Sequence, residues 1–583
     1  MINALIEIGR SVKDLYPLPI VEVPYPTKKG KQEPQVLVVD LKSSGESLRV
    51  EGVSLSGYSE SEVYSKYFFR NPPASQGPAP SLSFKLPGKP SALRQRLKIL
   101  ELLGYNADIE KVAEAIEQKL EELKSSGTLG KNVPVLVVLK IDGKWPAENE
   151  KLRESFVKSF LERLGSYGGK PIWKKHGICH GCGKETTVYG GVGILMKFYT
   201  VDKHGYAPQI DPRVAWKQYA LCEDCIFDLE RGKRAVDDFL TWNFYGKDFW
   251  LLPVSMTNLR NVIDRFRIFH QKTSGKTYEK EYEDFEDFLL FEASKQEDAY
   301  SYHFVFTERN NQAFRILLHI EEVLPSVLRQ YVSVKAETEN NFNDSIFEAV
   351  HLKNRLRFNF FTSRNLKETP QKPGFSDEDF YMLVDKVFRR SFIDERYLIS
   401  KAMSRISKDT FETGDQGEIP WWTVLETLLS LEFLLNWGVL KRRTGGIEME
   451  NLPYKEFFDS HGDFFNHPAK RGLVLLGALV QKFLRYQYDQ RGSTPFIKVL
   501  KNLRLDQDDV KKLYVALQNK MNEYGIGHKW PKLREGVSLS FIEAGDKWPL
   551  SPEEIGFYIA VGMALYSHPV FSRAQESEEI LSN

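Results

Sequence analysis

Cys179-His-Gly-Cys182-Gly183 and Cys222-Glu-Asp-Cys225 are the stretches that decide the architecture, because they hold all four cysteines of a 583-residue chain. Thirty-nine residues separate the two pairs. Each Cys-x-x-Cys turn aims two thiolates at one point, and two such turns complete the tetrahedral sulfur set that Zn²⁺ favours. Cys179, Cys182, Cys222 and Cys225 are therefore the expected metal ligands, and Gly181 and Gly183 permit the tight backbone of a knuckle. Disulfides are disfavoured in a chain read as cytoplasmic. A thioredoxin-like redox pair explains one Cys-x-x-Cys but not two. An iron–sulfur cluster would use the same four thiolates, and zinc is the expectation. A closed sulfur set leaves no open coordination position, so the ion is expected to be structural, with His176 and His180 outside its shell.

Before the first pair, apolar residues at 152, 156, 160 and 164 in EKLRESFVKSFLERLG mark an amphipathic helix. Further back stand a strand at VPVLVVLKID (133–142), helices at about 93–103 and 109–125, and a strand at PQVLVVDL (34–41). The start, MINALIEIGRSVKDLYPLPIV (1–21), reads as a short amphipathic helix and not as a signal peptide. The stretch RNPPASQGPAPSLSFKLPGKP (70–90) is dense in Pro, Ser and Gly and is expected to be an exposed loop or linker. GGVGIL (190–195) is expected to be a turn within the cysteine module.

After Cys225 strand signals thin out, SYHFVFTERNN (301–311) excepted, and helices are expected to dominate. The chain is thus expected to be α+β: a mixed N-terminal portion with an inserted four-cysteine zinc-ribbon module, then a mainly α-helical C-terminal bundle. Divided by residue number, this gives an α+β domain over 1–150, the zinc-binding module over 151–250, an α+β continuation over 251–370 and the helical bundle over 371–583. Interruptions at KETPQKPG (367–374) and RRTGGIEME (442–450) mark the softest joins.

Composition narrows the classes further. A 42% hydrophobic fraction with 13% aromatics is that of a folded chain. No run approaches the ~20 apolar residues of a membrane span, so a cytoplasmic protein without a membrane partner is expected. A net charge of +1 gives no global case for polyanion binding. Between His467 and Arg534, however, fourteen Lys/Arg stand against five Asp/Glu. Lys470, Arg471, Lys482, Arg485, Lys498, Lys501, Lys511 and Lys512 of this stretch, with the upstream Lys441, Arg442 and Arg443, are the candidate nucleic-acid contacts, and a solvated helix face is the plain alternative. No phosphate-binding Gly-x-x-x-x-Gly-Lys, no His-Asp doublet and no Gly-Gly-Asp-Asp run is present. The expectation is a protein without catalysis. A zinc-ribbon nuclease or polymerase-like enzyme with dispersed carboxylates, or a zinc-stabilised protein-binding scaffold, stays open beside it.

The opening MINALIEIG, the central cysteine pairs, the phrase IEEVLPS (320–326) and the late segment GALVQKFLRYQYDQRGSTPFIKVLKNLRLD (477–506) together resemble the large subunit of type I-B CRISPR Cascade, the Csh/TM-type family. The resemblance runs along nearly the whole chain. It implies a non-catalytic subunit of a crRNA-guided complex that recognises a PAM duplex and assists R-loop opening. The partners it implies are crRNA, target DNA, the backbone and other Cascade subunits, and a helicase–nuclease effector. Large subunits of this kind can also encode a small subunit by internal translation. Met449, behind Gly445-Gly446, is the candidate start here, with Met382 as the rival.

Overall fold

The computed structural model describes the chain except for residues 22–23, 25–33, 70–79, 86–92, 131, 197–213, 245–246, 256–257, 274–289, 291–292, 294, 296–298, 311–312, 343–375, 414–420, 441–452 and 568–583. It separates into two compact units, the first made of residues 1–241, 252–274 and 308–315, the second of residues 242–251, 275–307 and 316–583.

Residues 36–39 and 135–139 are apolar without interruption, as strands covered on both faces are. The first unit begins with helix α1 (Ile2–Ser11) and folds strands β1 (Gln35–Ser44), β2 (Ser47–Gly57), β3 (Ser81–Lys85), β4 (Asn106–Ala107) and β5 (Pro134–Ile141) into one sheet of order β3-β5-β1-β2-β4. The central strands β1 and β5 run parallel, with Val36 opposite Leu136 and Val38 opposite Val138. A tight turn with Gly45 at φ +62° returns the chain from β1 into antiparallel β2. Between β4 and β5 runs helix α2 (Ile109–Ser125), whose N-cap Asp108 accepts a hydrogen bond from the Lys111 N–H. Helix α3 (Glu150–Leu164) is capped in the same way by Asn149 and buries Leu152, Phe156, Phe160 and Leu164, the stripe its sequence announces.

The proline-rich stretch corrects one expectation. Its residues 81–85 form edge strand β3, paired antiparallel to β5, with Ser81 and Leu82 buried. An edge position suits a segment flanked by proline, because one side of its backbone needs no strand partner. The rest of that stretch, Pro80 apart, lies outside the described residues.

Strand signals after Cys225 are also richer than expected. The hairpin β6 (Trp173–Ile178) and β7 (Glu185–Tyr189) precedes helix α4 (Glu223–Ala235), after which come strands β8 (Thr241–Phe244) and β9 (Lys247–Ser255). Helix α5 (Arg260–Thr273) is followed by β10 (Tyr300–Asn310) and β11 (Ala313–Val323), which with β8 and β9 make a sheet of order β8-β9-β10-β11. GGVGIL is not a simple turn either, since residues Val192–Leu195 close one short helical turn.

In the second unit the rings of Phe244, Phe249, Phe304, Phe306, Phe380 and Phe388 pack mostly edge to face, with centroids 4.9–6.4 Å apart. The longer helices among the described residues there are α6 (Pro325–Phe342), α7 (Asp377–Phe388), α8 (Glu395–Lys408), α9 (Trp421–Asn436), α10 (Pro468–Arg491), α11 (Gln507–Glu523), α12 (Pro531–Ala544) and α13 (Pro552–Ser567). PEEIGFYIAVGMALYS of α13 is apolar nearly all round, because α8, α9 and α10 surround it. Where α10 and α13 cross, a Cβ on Gly477 would stand 2.0 Å from the Ile559 carbonyl oxygen, and one on Gly562 1.8 Å from that of Val474. Only glycine admits such a backbone approach. Among the described residues no helix is long and apolar enough to cross a membrane.

Candidate metal centre and nucleic-acid interface

The hairpin β6–β7 carries the first cysteine pair in its turn. There the Cys179 N–H donates to the Lys184 carbonyl (2.9 Å) and the Gly183 N–H to the Cys179 carbonyl (2.8 Å), with Gly183 at φ +71°. The second pair opens a helix, since Cys222 is the N-cap of α4 and Cys225 lies in its first turn. Reciprocal hydrogen bonds between Tyr189 and Leu221 (2.9 and 3.2 Å) lash the end of β7 to the residue before Cys222. Two cysteine pairs far apart in sequence are thereby brought to one place.

The four Sγ atoms lie within 4.8 Å of one another. Cys182 Sγ is 3.9 Å from Cys222 Sγ, close to the roughly 3.8 Å that a tetrahedral ion with ~2.3 Å metal–sulfur bonds imposes. The donor set therefore fits a metal ion. Burial pushes the Cys222 thiol up to about 11 and moves Cys225 further the same way, whereas backbone N–H groups bring Cys179 down against that burial. Such clustered thiols ionise together only when positive charge is supplied. Part of it is built in. The α4 N-terminus points at Cys222 and Cys225, and the Arg10 guanidinium donates to Cys225 Sγ (3.4 Å) and to the Gly181 carbonyl (3.2 Å).

Arg10 reaches the centre because α1 packs backbone to backbone against α4. A Cβ on Gly9 would fall 1.7 Å from the Asp228 carbonyl oxygen, and one on Gly232 1.9 Å from that of Leu5. Asp228, buried, pairs with Arg10 (3.4 Å), Lys13 (3.8 Å) and Arg231 (2.8 Å). Sequence reasoning assigned α1 no part in the centre; the usable signal was Gly9, placed inside an otherwise good helix. His176 and His180 stay outside the sulfur cluster, as expected. His180 Nδ1 accepts from the Ala220 N–H (3.1 Å), its ring lies against Tyr219, and the His176 side chain is exposed.

The basic stretch divides. Arg485, Lys498, Lys501, Lys511 and Lys512 are exposed on α10, α11 and the turn between them, and Lys501 pairs with Asp509 at 2.5 Å. That turn puts Lys501, Asn502 and Leu503 in succession at φ +46°, +56° and +60°, held by a hydrogen bond from Ser407 Oγ to the Asn502 carbonyl.

Lys470 and Lys482 correct the expectation, being only 3% and 6% exposed. Lys470 donates to the Phe464 carbonyl (3.0 Å), stands 3.9 Å from Glu395 and lies over the rings of Phe464 and Tyr558. Lys482 sits over the rings of Trp530 and Tyr566. Neither can touch a phosphate. Arg471 is half-buried and donates to the Phe465 carbonyl. Lys441, Arg442 and Arg443 lie outside the described residues, as do Met449 and both interruptions at 367–374 and 442–450.

Fold and site define a mixed α+β chain with a four-thiolate module and a helical C-terminal portion that displays part of its basic charge. Residues 176–323 match the central domain of CRISPR-associated protein TM1802, and residues 357–577 match its C-terminal domain. These segments take in more than half of the chain, which belongs to the TM1802 family of CRISPR-associated proteins. No curated protein matches it.

Proposed function

We propose that the chain is the large, non-catalytic subunit of a type I-B Cascade, a crRNA-guided antiviral surveillance complex. Its task in this reading is to recognise PAM-containing target DNA, to support R-loop formation and to recruit a helicase–nuclease. Membership of the TM1802 family carries the reading. The exposed cations Arg485, Lys498, Lys501, Lys511 and Lys512 support its nucleic-acid part, since groups of this kind track phosphates without reading bases. Guide–target pairing then supplies sequence recognition, and the protein has to read only a short motif and the shape of the strands. The complex works in the cytoplasm with crRNA, backbone subunits and target DNA as partners.

The ion proposed for Cys179, Cys182, Cys222 and Cys225 is Zn²⁺ in a structural role. Four sulfur ligands leave it no position for water or substrate, so it shapes the module and takes no part in chemistry.

Of the two candidate internal starts, Met449 is the one that cuts no described helix. Starting at Met382 would cut α7 after its capping box, in which Ser376 and Asp379 bond reciprocally, and would discard the buried Phe380. A product from Met449 would not be self-contained, however: α13 loses α8 and α9 and presents an apolar face to a partner.

The test is target binding by the assembled complex as a function of salt, comparing wild type with a chain in which Lys498, Lys501, Lys511 and Lys512 are all replaced by Ala. The expected result is weaker binding by a similar factor on every sequence and a shallower salt dependence, by ~0.7–0.9 in the logarithmic slope for each phosphate no longer neutralised. Unchanged affinity and slope contradict the placement of nucleic acid on this surface. DNA cleavage by the purified chain with Mg²⁺ alone contradicts the non-catalytic assignment.

A further inference from the structure

β10 and β11 are neighbouring strands of one sheet, and each brings an imidazole to the same spot. His303 Nδ1 lies 3.0 Å from His319 Nε2. Glu321, two residues beyond His319 and so on the same face of β11, sets Oε1 3.5 Å from His319 Nε2 and 3.8 Å from His303 Nδ1. The three donor atoms form, with the sulfur cluster, one of the two groups among the described residues whose His, Cys, Asp or Glu ligand atoms all converge within 4.8 Å.

We propose that His303, His319 and Glu321 form a second metal site, which takes one divalent transition-metal ion through two imidazole nitrogens and a carboxylate oxygen. The spacings suit such an ion. Bonds of ~2.0–2.1 Å place donor atoms roughly 2.9 Å apart at right angles and about 3.4 Å apart in a tetrahedron. The imidazole pair falls within that span, and the carboxylate needs only a small rotation to close. It has room to make one, since the Glu321 side chain is 54% exposed while those of His303 and His319 are 11% and 24% exposed. Two imidazoles anchored in a sheet beside an exposed carboxylate combine a fixed pair of ligands with an adjustable third.

Charge accounts for the preference. Only one ring proton fits between two nitrogens 3.0 Å apart, and a carboxylate oxygen beside them adds a further electron-rich atom with no proton of its own. A cation at the meeting point satisfies all three. The chemistry of the donors then selects its class: Mg²⁺ and Ca²⁺ take oxygen ligands, whereas two nitrogens with one oxygen suit Zn²⁺, Co²⁺, Ni²⁺, Mn²⁺ or Fe²⁺. Three protein ligands also leave a position open to water or to a group from a partner, which the closed sulfur centre does not. This site is independent of the large-subunit reading, since it rests on side chains within one sheet.

The experiment is a metal titration of the full chain, with Zn²⁺ counted by mass spectrometry after dialysis and Co²⁺ followed by absorption. The expected result is a second ion per chain beyond the one held by thiolates, whose Co²⁺ spectrum shows ligand-field bands but no sulfur charge transfer. His303→Ala with His319→Ala removes that second ion and leaves the thiolate-bound one in place. Glu321→Gln, at a half-exposed side chain, weakens the second ion by at least the ~10-fold that even loss of an outer-shell partner costs. A wild-type chain that binds only the thiolate-held ion, or a second ion that survives both variants, overturns the proposal.

Discussion

The cysteine module and the basic C-terminal stretch were equally visible as residue types, yet folding treats them differently. All four thiols converge, whereas the eight candidate cations of the stretch disperse: five reach the surface, Lys470 and Lys482 are buried, and Arg471 spends its guanidinium on a backbone carbonyl. Coordination chemistry fixes where a ligand set must go, because each sulfur is useful only beside the other three. Charge carries no such instruction. A lysine can lay its stem and even its head along apolar surface if a carbonyl, a carboxylate and aromatic faces receive it.

The contrast breaks most visibly at the sulfur centre. Cys179→Ser or Cys222→Ser, or chelation of the ion, should cost the module on the order of 10 kcal/mol, the scale on which such ions stabilise small zinc modules. Thermal denaturation with and without chelator checks this. A chain whose unfolding ignores both treatments shows that the thiols hold nothing. The next largest effect is expected at Lys470. Lys470→Ala removes the cation 3.9 Å from the half-buried Glu395 and the donor to the Phe464 carbonyl, and should destabilise the second unit by about 3 kcal/mol. Affinity of the folded fraction for DNA should not change, and a specific loss of binding would return Lys470 to the interface.

At the α10–α13 crossing, Gly477→Ala or Gly562→Ala drives a methyl into a facing carbonyl and should cost roughly 1–3 kcal/mol in chemical denaturation. The smallest change in stability, within about 0.5 kcal/mol, is expected for joint replacement of Lys498, Lys501, Lys511 and Lys512 by Ala. These side chains are exposed, and solvent screens the Lys501–Asp509 pair at the surface. Their loss should appear in the salt dependence of binding instead. A large fall in melting temperature would place them with Lys470.

Much of this was legible in the residues. α2 spans Ile109–Ser125, where the periodicity puts it, and the stripe at 152, 156, 160 and 164 is the buried face of α3. Strands β8, β9 and β11 were not read, because short apolar runs such as TWNF and KDFWLLPVS carry no periodicity that separates strand from buried helix. β3 escaped because its five residues sit among prolines, and an edge strand needs little pattern of its own.

Burial of the two lysines did have a signal. Lys470 stands three and four residues before Leu473 and Val474, and Lys482 three and four after Leu479 and Ala478, so both fall on the apolar face of α10. His303 and His319 gave none, since nothing in either strand says which residue of the other it meets; only the hairpin brings them together.

The most direct measurement is zinc-edge X-ray absorption on intact protein isolated without added metal, in the His303→Ala/His319→Ala background so that one kind of site remains. The expected result is a single shell of four sulfurs at ~2.3 Å. Protein without metal, or a shell dominated by nitrogen and oxygen, contradicts a module built on Cys179, Cys182, Cys222 and Cys225.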